Sequence, residues 1–197
     1  MKNQPVPAEF DRPAFRQDAI LDAAFAAFSN YGYRRTAMED IAQSAGISRS
    51  ALYLHFRNKE DIFQSLAARY FEAATKAVAV ELAKQGPTGA ETLANAFYAY
   101  DGKIMEVVLG TPHGAEMLEA GHMISADLVI AGEARIHKLL EDWLGLQALP
   151  AGLGTAQALA STVLSALKGL KQTAKTPENH RASQAQLAQV LAMALGR

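Results

Sequence analysis

The 197-residue chain contains no cysteine, which excludes a disulfide framework, a thiol nucleophile and any zinc site built on thiolates, and fits a reducing compartment. Nowhere do enough apolar residues run together to span a bilayer, so no membrane association is expected. The opening stretch MKNQPVPAEFDRP has no apolar segment of signal-peptide length, and the expected location is the cytoplasm. Glycine-proline clusters and alternating β-branched runs, the marks of sheets, are scarce, whereas alanine abounds and 50% of the residues are hydrophobic. An all-α chain with a substantial core is therefore expected. Catalytic signatures are missing too: there is no Gly-x-Ser-x-Gly elbow, no glycine-rich phosphate loop and no His-Glu-x-x-His. Neither enzymatic activity nor a cofactor is expected.

The formal net charge of −1 gives the chain as a whole no electrostatic preference for nucleic acid. The charge is unevenly spread. From Tyr33 to Lys59 five cations (Arg34, Arg35, Arg49, Arg57 and Lys59) face two anions, Glu39 and Asp40. From Lys76 onward ten cations are balanced by eleven anions, so this larger part is not a second surface for nucleic acid.

Residues 1–12 are polar and carry Pro5 and Pro7, which reads as a flexible tail. Ile20, Leu21, Ala24, Phe25 and Phe28 then follow helical spacing over Arg16 to Asn30, with Gly32 as the stop. Thr36-Ala-Met-Glu39 has the form of a capping box that starts a second helix, with Met38, Ile41, Ala42 and Ala45 on one face and Gly46 after it. Ser48 is suited to cap a third helix, and Ile47 can pack on Leu52 as a hydrophobic staple. Leu52 and Phe56 should point inward, leaving Arg49, Ser50, Tyr53 and His55 outward. Asn58 can cap a fourth helix that continues to about Lys84, with Glu60 and Asp61 in its first turn, where the helix dipole favours acids. About five more helical stretches should follow Gly86-Pro87, broken near Gly110-Thr-Pro112, Gly121 to Ser125, Gly145 to Gly154 and Thr176-Pro177.

Two short helices joined through Gly46, the second serine-capped and polar outside, form a helix-turn-helix able to lay its second helix in the major groove of double-stranded DNA. Arg49 is the candidate for base readout, because a guanidinium donates twice to guanine. Tyr53, His55 and Lys59 suit phosphates, Ser48 and Ser50 extend the hydrogen-bonding face, and Thr36 is a further phosphate candidate.

The segment Thr36 to Lys59, TAMEDIAQSAGISRSALYLHFRNK, resembles the DNA-binding signature of the TetR family of regulators. Asn30-Tyr-Gly-Tyr33, Asp40-Ile-Ala42, Gly46-Ile-Ser48, Leu52-Tyr53, His55-Phe56 and Lys59-Glu60 carry the resemblance, and Ala37 stands where a hydroxyl residue is frequent. It implies a three-helix DNA-binding domain over 13–60 and a larger helical ligand-binding and dimerisation domain over 61–197. It also implies a small-molecule effector held among the middle helices, where Phe97, Tyr98, Tyr100, Met105, Met117, Met123 and Trp143 supply an apolar lining and His113 and His122 polar groups. A homodimer through the last two helices, near Thr155 to Thr173 and Pro177 to Leu195, is implied as well. Small residues mark their faces: Ala158, Ser161, Thr162, Ser165 and Ala166, then Ala182, Ala185, Ala188 and Ala192. Function then follows as a repressor released from a palindromic operator by its ligand. The alternatives are a helical scaffold without DNA function and a di-metal carboxylate bundle. The latter needs more than the one Glu119-x-x-His122 pair that the chain carries.

Overall fold

Ile20, Leu21, Ala24, Ala27 and Phe28 recur at three-and-four spacing and are all buried, the pattern of a helix that docks one face. In the computed structural model, which describes residues 13–84 and 88–196, they lie on α1 (Pro13–Tyr31). The tail expected over residues 1–12 lies outside the described residues. Two short helices follow, α2 (Met38–Ser44) and α3 (Arg49–His55), and then the long α4 (Lys59–Ala83). With 25 residues, α4 is about 37 Å long, and it serves two cores.

The first core gathers Ile20, Leu21, Ala24 and Phe28 of α1, Ile41 and Ala42 of α2, Leu52 and Phe56, and the first turns of α4 through Ile62, Phe63 and Leu66. Phe28, Tyr33 and Phe63 pack as an aromatic trio with ring centroids 5.2 to 5.8 Å apart. The second core joins the far half of α4 (Phe71, Val78, Leu82) to the C-terminal helices. Those in this core are α5 (Gly89–Phe97), α8 (Ala126–Gly145), α9 (Ala156–Thr173) and α10 (Pro177–Ala194), while α6 (Lys103–Gly110) and α7 (Gly114–Ile124), between α5 and α8 in the chain, supply none of its residues. Their boundaries follow the expected breaks, and within Gly121 to Ser125 the break falls at Ser125, α7 running through Gly121 to Ile124. Met117 and Ala120 of α7 reach back and complete the first core.

Between α5 and α6 the helix continues through a π turn, Tyr98–Gly102, whose wider winding releases backbone carbonyls from the i−4 ladder. Side chains take them up. The Tyr70 hydroxyl donates to the Tyr100 carbonyl at 2.6 Å, and Gln184 Nε2 donates to the Phe97 carbonyl at 3.1 Å. Gln184 also reaches the buried Asp101 Oδ1 at 2.5 Å, beside His180 Nε2 at 3.0 Å, which pins α10 to the turn. Across the bundle, Gly132 of α8 lies directly against the ring of Phe71, where a Cβ would collide, so only glycine allows α4 and α8 to come this close. Among the described residues no helix is long and apolar enough to cross a membrane.

Candidate nucleic-acid interface

The turn between α2 and α3 is built from local rules. Gly46 takes φ +67°, which only glycine adopts without strain, and the Ile47 amide closes on the Ala42 carbonyl at 3.0 Å. Ser48 Oγ accepts from the Ala51 amide at 3.1 Å and caps α3. Leu52 and Phe56 are buried beneath, and Ile47 packs against the same core. With its inner face anchored, α3 presents Ser48, Arg49 and Ser50 exposed, Tyr53 44% exposed and His55 half-buried at its end. The Arg49 guanidinium stands 5.7 Å from the centroid of the Tyr53 ring, and its Nε is 3.8 Å from Glu39. Both side chains of that ion pair are mostly solvated, so the contact is weak and the guanidinium can exchange it for another partner. Leu54, passed over in the sequence, is 86% exposed on this surface.

Two expected contacts are placed differently. Thr36 is 2% exposed, and its hydroxyl donates to the Gly32 carbonyl at 2.7 Å. It does not cap α2 and has no face to solvent, so its expected role as a phosphate ligand is withdrawn. The N-cap is Ala37, whose amide is accepted by Asp40 Oδ2 at 2.7 Å. Lys59 is likewise turned inward. Its Nζ donates to the carbonyls of Tyr33 (2.7 Å), Thr36 (3.0 Å) and Arg34 (3.3 Å) and lies 4.5 Å from the Tyr33 ring centroid. An ammonium has three donors, and here each has a carbonyl. Lys59 thus ties the α1–α2 loop to the start of α4. Of the exposed cations flanking α3, Arg57 pairs with Asp61, whereas Arg34 and Arg35 in that loop form no ion pair among the described residues.

A cavity of ≈ 820 Å³ lies beyond α4, walled by α1, α4, α7, α8 and α9 and by the segment from the π turn into α6. Of the nine lining residues expected, Tyr100, Met117 and His122 are on its wall. The other six are elsewhere. Phe97 is buried in the second core, with Trp143 packed against it; Met105 is 1% exposed and off the cavity wall. Tyr98 points outward, its hydroxyl donating to Glu106 at 2.9 Å and its ring 4.5 Å from the Arg181 guanidinium. Met123 is 78% exposed. His113 lies 3.6 Å from Glu116 at the seam between α1 and α7. Sequence reasoning missed Tyr70, Arg69, Glu133, Lys168 and Lys171, all on the wall. The lysines belong to a helix read only for its small residues. Among the described residues no group of three His, Asp or Glu side chains could hold a metal ion, and His122 Nδ1 is 2.8 Å from the Leu118 carbonyl of its own helix.

The seam couples this cavity to the helix-turn-helix. Ser29 Oγ lies 3.0 Å from Met117 Sδ, the Ser29 carbonyl accepts from the His113 amide at 3.2 Å, and the Arg34 amide donates to Glu116 at 2.8 Å. Met117 therefore touches both the cavity and α1.

Residues 20–66 match the model of the bacterial regulatory proteins, tetR family. Over these residues, which hold the helix-turn-helix, the chain is similar to the TetR family. Among curated TetR-family relatives, TtgR of Pseudomonas putida, a transcriptional regulator, is 47% identical over 47 residues, which are 24% of this chain and 22% of that one. The transcriptional repressor ComR of Escherichia coli is 35% identical over 71 residues, 36% of this chain and 31% of its own. The matches thus span less than a third of these relatives. Over most of its length the chain shares the TetR-family fold. PfmR from Thermus thermophilus superposes with a TM-score of 0.66 at 23% identity, covering 90% of this chain and 99% of that one. SmeT, the repressor of the Stenotrophomonas maltophilia multidrug efflux pump SmeDEF, does so at 0.65 and 23%, covering 90% and 88%.

Proposed function

We propose that the protein is a sequence-specific DNA-binding regulator: a homodimeric repressor released from a palindromic operator by a small molecule held in the cavity. The observation that carries this is the two-sided character of α3. Leu52 and Phe56 fix it in the first core, while Ser48, Arg49, Ser50, Tyr53 and His55 form one hydrogen-bonding surface of major-groove size. Arg49 reads guanine, Leu54 contacts a thymine methyl, and Ser48, Ser50, Tyr53 and His55 meet phosphates and base edges. The family model matches residues 20–66, which include this helix.

Dimerisation through α9 and α10 is supported by their exposed small residues Ala158, Ser161, Thr162, Ser165, Ala182 and Ala185, joined by Val190 at 58% and Met193 at 69% exposure. Ala188 and Ala192 do not belong to that face, since both are fully buried in the chain's own second core. A two-fold dimer would set two copies of α3 about 34 Å apart, one helical turn of DNA. A ligand pressing on Met117 and on α4 would change that spacing through the Ser29 seam, and differential binding of about 1–3 kcal/mol switches affinity some 5- to 150-fold. The test is fluorescence anisotropy of the purified protein on a duplex from upstream of its own gene, against a scrambled duplex, with salt varied. Preferential, steeply salt-dependent binding by a species of twice the chain mass is expected. Equal binding to both duplexes, confirmed by a genome-wide selection that enriches no fragment, would overturn the reading.

A further inference from the structure

The cavity is mostly apolar, with walls from Phe25, Leu66, Ile104 and Val129 among others, and its size lies within the range of small-molecule sites. Three cations reach it. Arg69 is engaged by Asp22 at 2.6 Å and Asp18 at 3.4 Å, and Lys168 by Glu133 at 2.5 Å. Lys171, one turn after Lys168 on α9, makes no ion pair and no hydrogen bond among the described residues. Burial pushes its ammonium below the ordinary lysine range, against the opposing charges of Asp101 and Glu133. A charge so placed lacks a bonded counterion. Tyr100 is only 3% exposed, and its hydroxyl also has no hydrogen-bond partner among the described residues. Burial raises this phenol as well, and Glu133 and Asp101 are again the charges acting on it. The two unspent donors both line the cavity, and Asp101 and Glu133 act on both. Of these two carboxylates Glu133 is paired with Lys168, and Asp101 accepts from Gln184 and His180 at Oδ1, while its Oδ2 is buried without a hydrogen-bond partner among the described residues.

We propose that the effector is an elongated apolar acid whose carboxylate is held by the Lys171 ammonium and the Tyr100 hydroxyl while its chain fills the apolar body of the cavity. An alkylammonium would meet Lys171 as a like charge, and a neutral alcohol would leave it without a counterion. This deepens the proposed function and rests on it only for the word effector, since occupancy of the cavity can be read without DNA. The experiment is isothermal titration of the full-length protein with decanoate, 1-decanol and decylamine. Decanoate should bind about tenfold or more tighter than the other two, as expected of a hydrogen-bonded charge. Lys171→Met should abolish that preference while leaving 1-decanol unchanged, which also shows that the cavity is intact. Tyr100→Phe, which removes one oxygen, should lower decanoate affinity about tenfold and spare 1-decanol. Equal affinity for the three probes, preference for decylamine, or preference for decanoate that survives Lys171→Met would overturn the proposal, whatever the DNA assay returns.

Discussion

The Lys59 ammonium donates to the Tyr33 carbonyl at 2.7 Å while lying 4.5 Å from the centroid of the same residue's ring, so one side chain closes the α1–α2 loop twice. Its loss strands three carbonyls. Lys59→Met should lower stability by about 1–3 kcal/mol, seen as a lower thermal midpoint. An unchanged midpoint with a shallower salt dependence of DNA binding would return Lys59 to the phosphate role first expected of it.

In the proposed function Arg49 meets a base and Tyr53 a phosphate. Arg49→Ala should cost about 1–3 kcal/mol of discrimination at one base position, measured as the affinity ratio between operator and single-base variants. Tyr53→Phe should weaken binding to all of these duplexes alike. Uniform loss for Arg49→Ala would contradict its assignment to a base.

The Asp61 carboxylate accepts from the Arg57 amide at 3.0 Å and from its guanidinium at 3.3 Å, and these hold its pKa below the ordinary carboxylate value. A depressed acid adds stability that is fully present above its unfolded pKa, about 3.9, and is lost as the pH falls through the folded one. The difference in unfolding midpoint between the wild type and Asp61→Asn should therefore be constant from neutral pH down to about 5 and shrink below about 4. A constant difference across the acid range would deny the contact.

Gly132 leaves no room for a methyl group beside Phe71. Gly132→Ala should destabilise by about 1–3 kcal/mol through overpacking. Phe71→Leu in the same chain should recover part of that loss, as a double-mutant cycle in chemical denaturation would record. Additive losses would place the cost elsewhere.

What the sequence disclosed was decided within a few residues of itself. Ser48, Gly46 and the Leu52–Phe56 pair sit as read because caps, left-handed turns and i,i+4 faces depend on near neighbours. Thr36 misled for the same reason. Its spacing to Glu39 fits a capping box, but Asp40 serves Ala37 instead, and the turn at Gly32 brings a closer acceptor for the threonine hydroxyl. Lys59 was illegible because its carbonyls lie 23 to 26 residues away. The cavity was read only in part because the π turn breaks the 3.6-residue period. Phe97, Tyr98 and Tyr100 therefore fall to the core, the outside and the cavity in turn.

The reach of Met117 and Ala120 into the first core has a practical consequence for any chimera built from this chain. A fusion junction placed at the end of α3 or α4 would cut through a shared interior, parting Ser29 of α1 from Met117 of α7. A working chimera has to inherit α1 and α7 from the same parent.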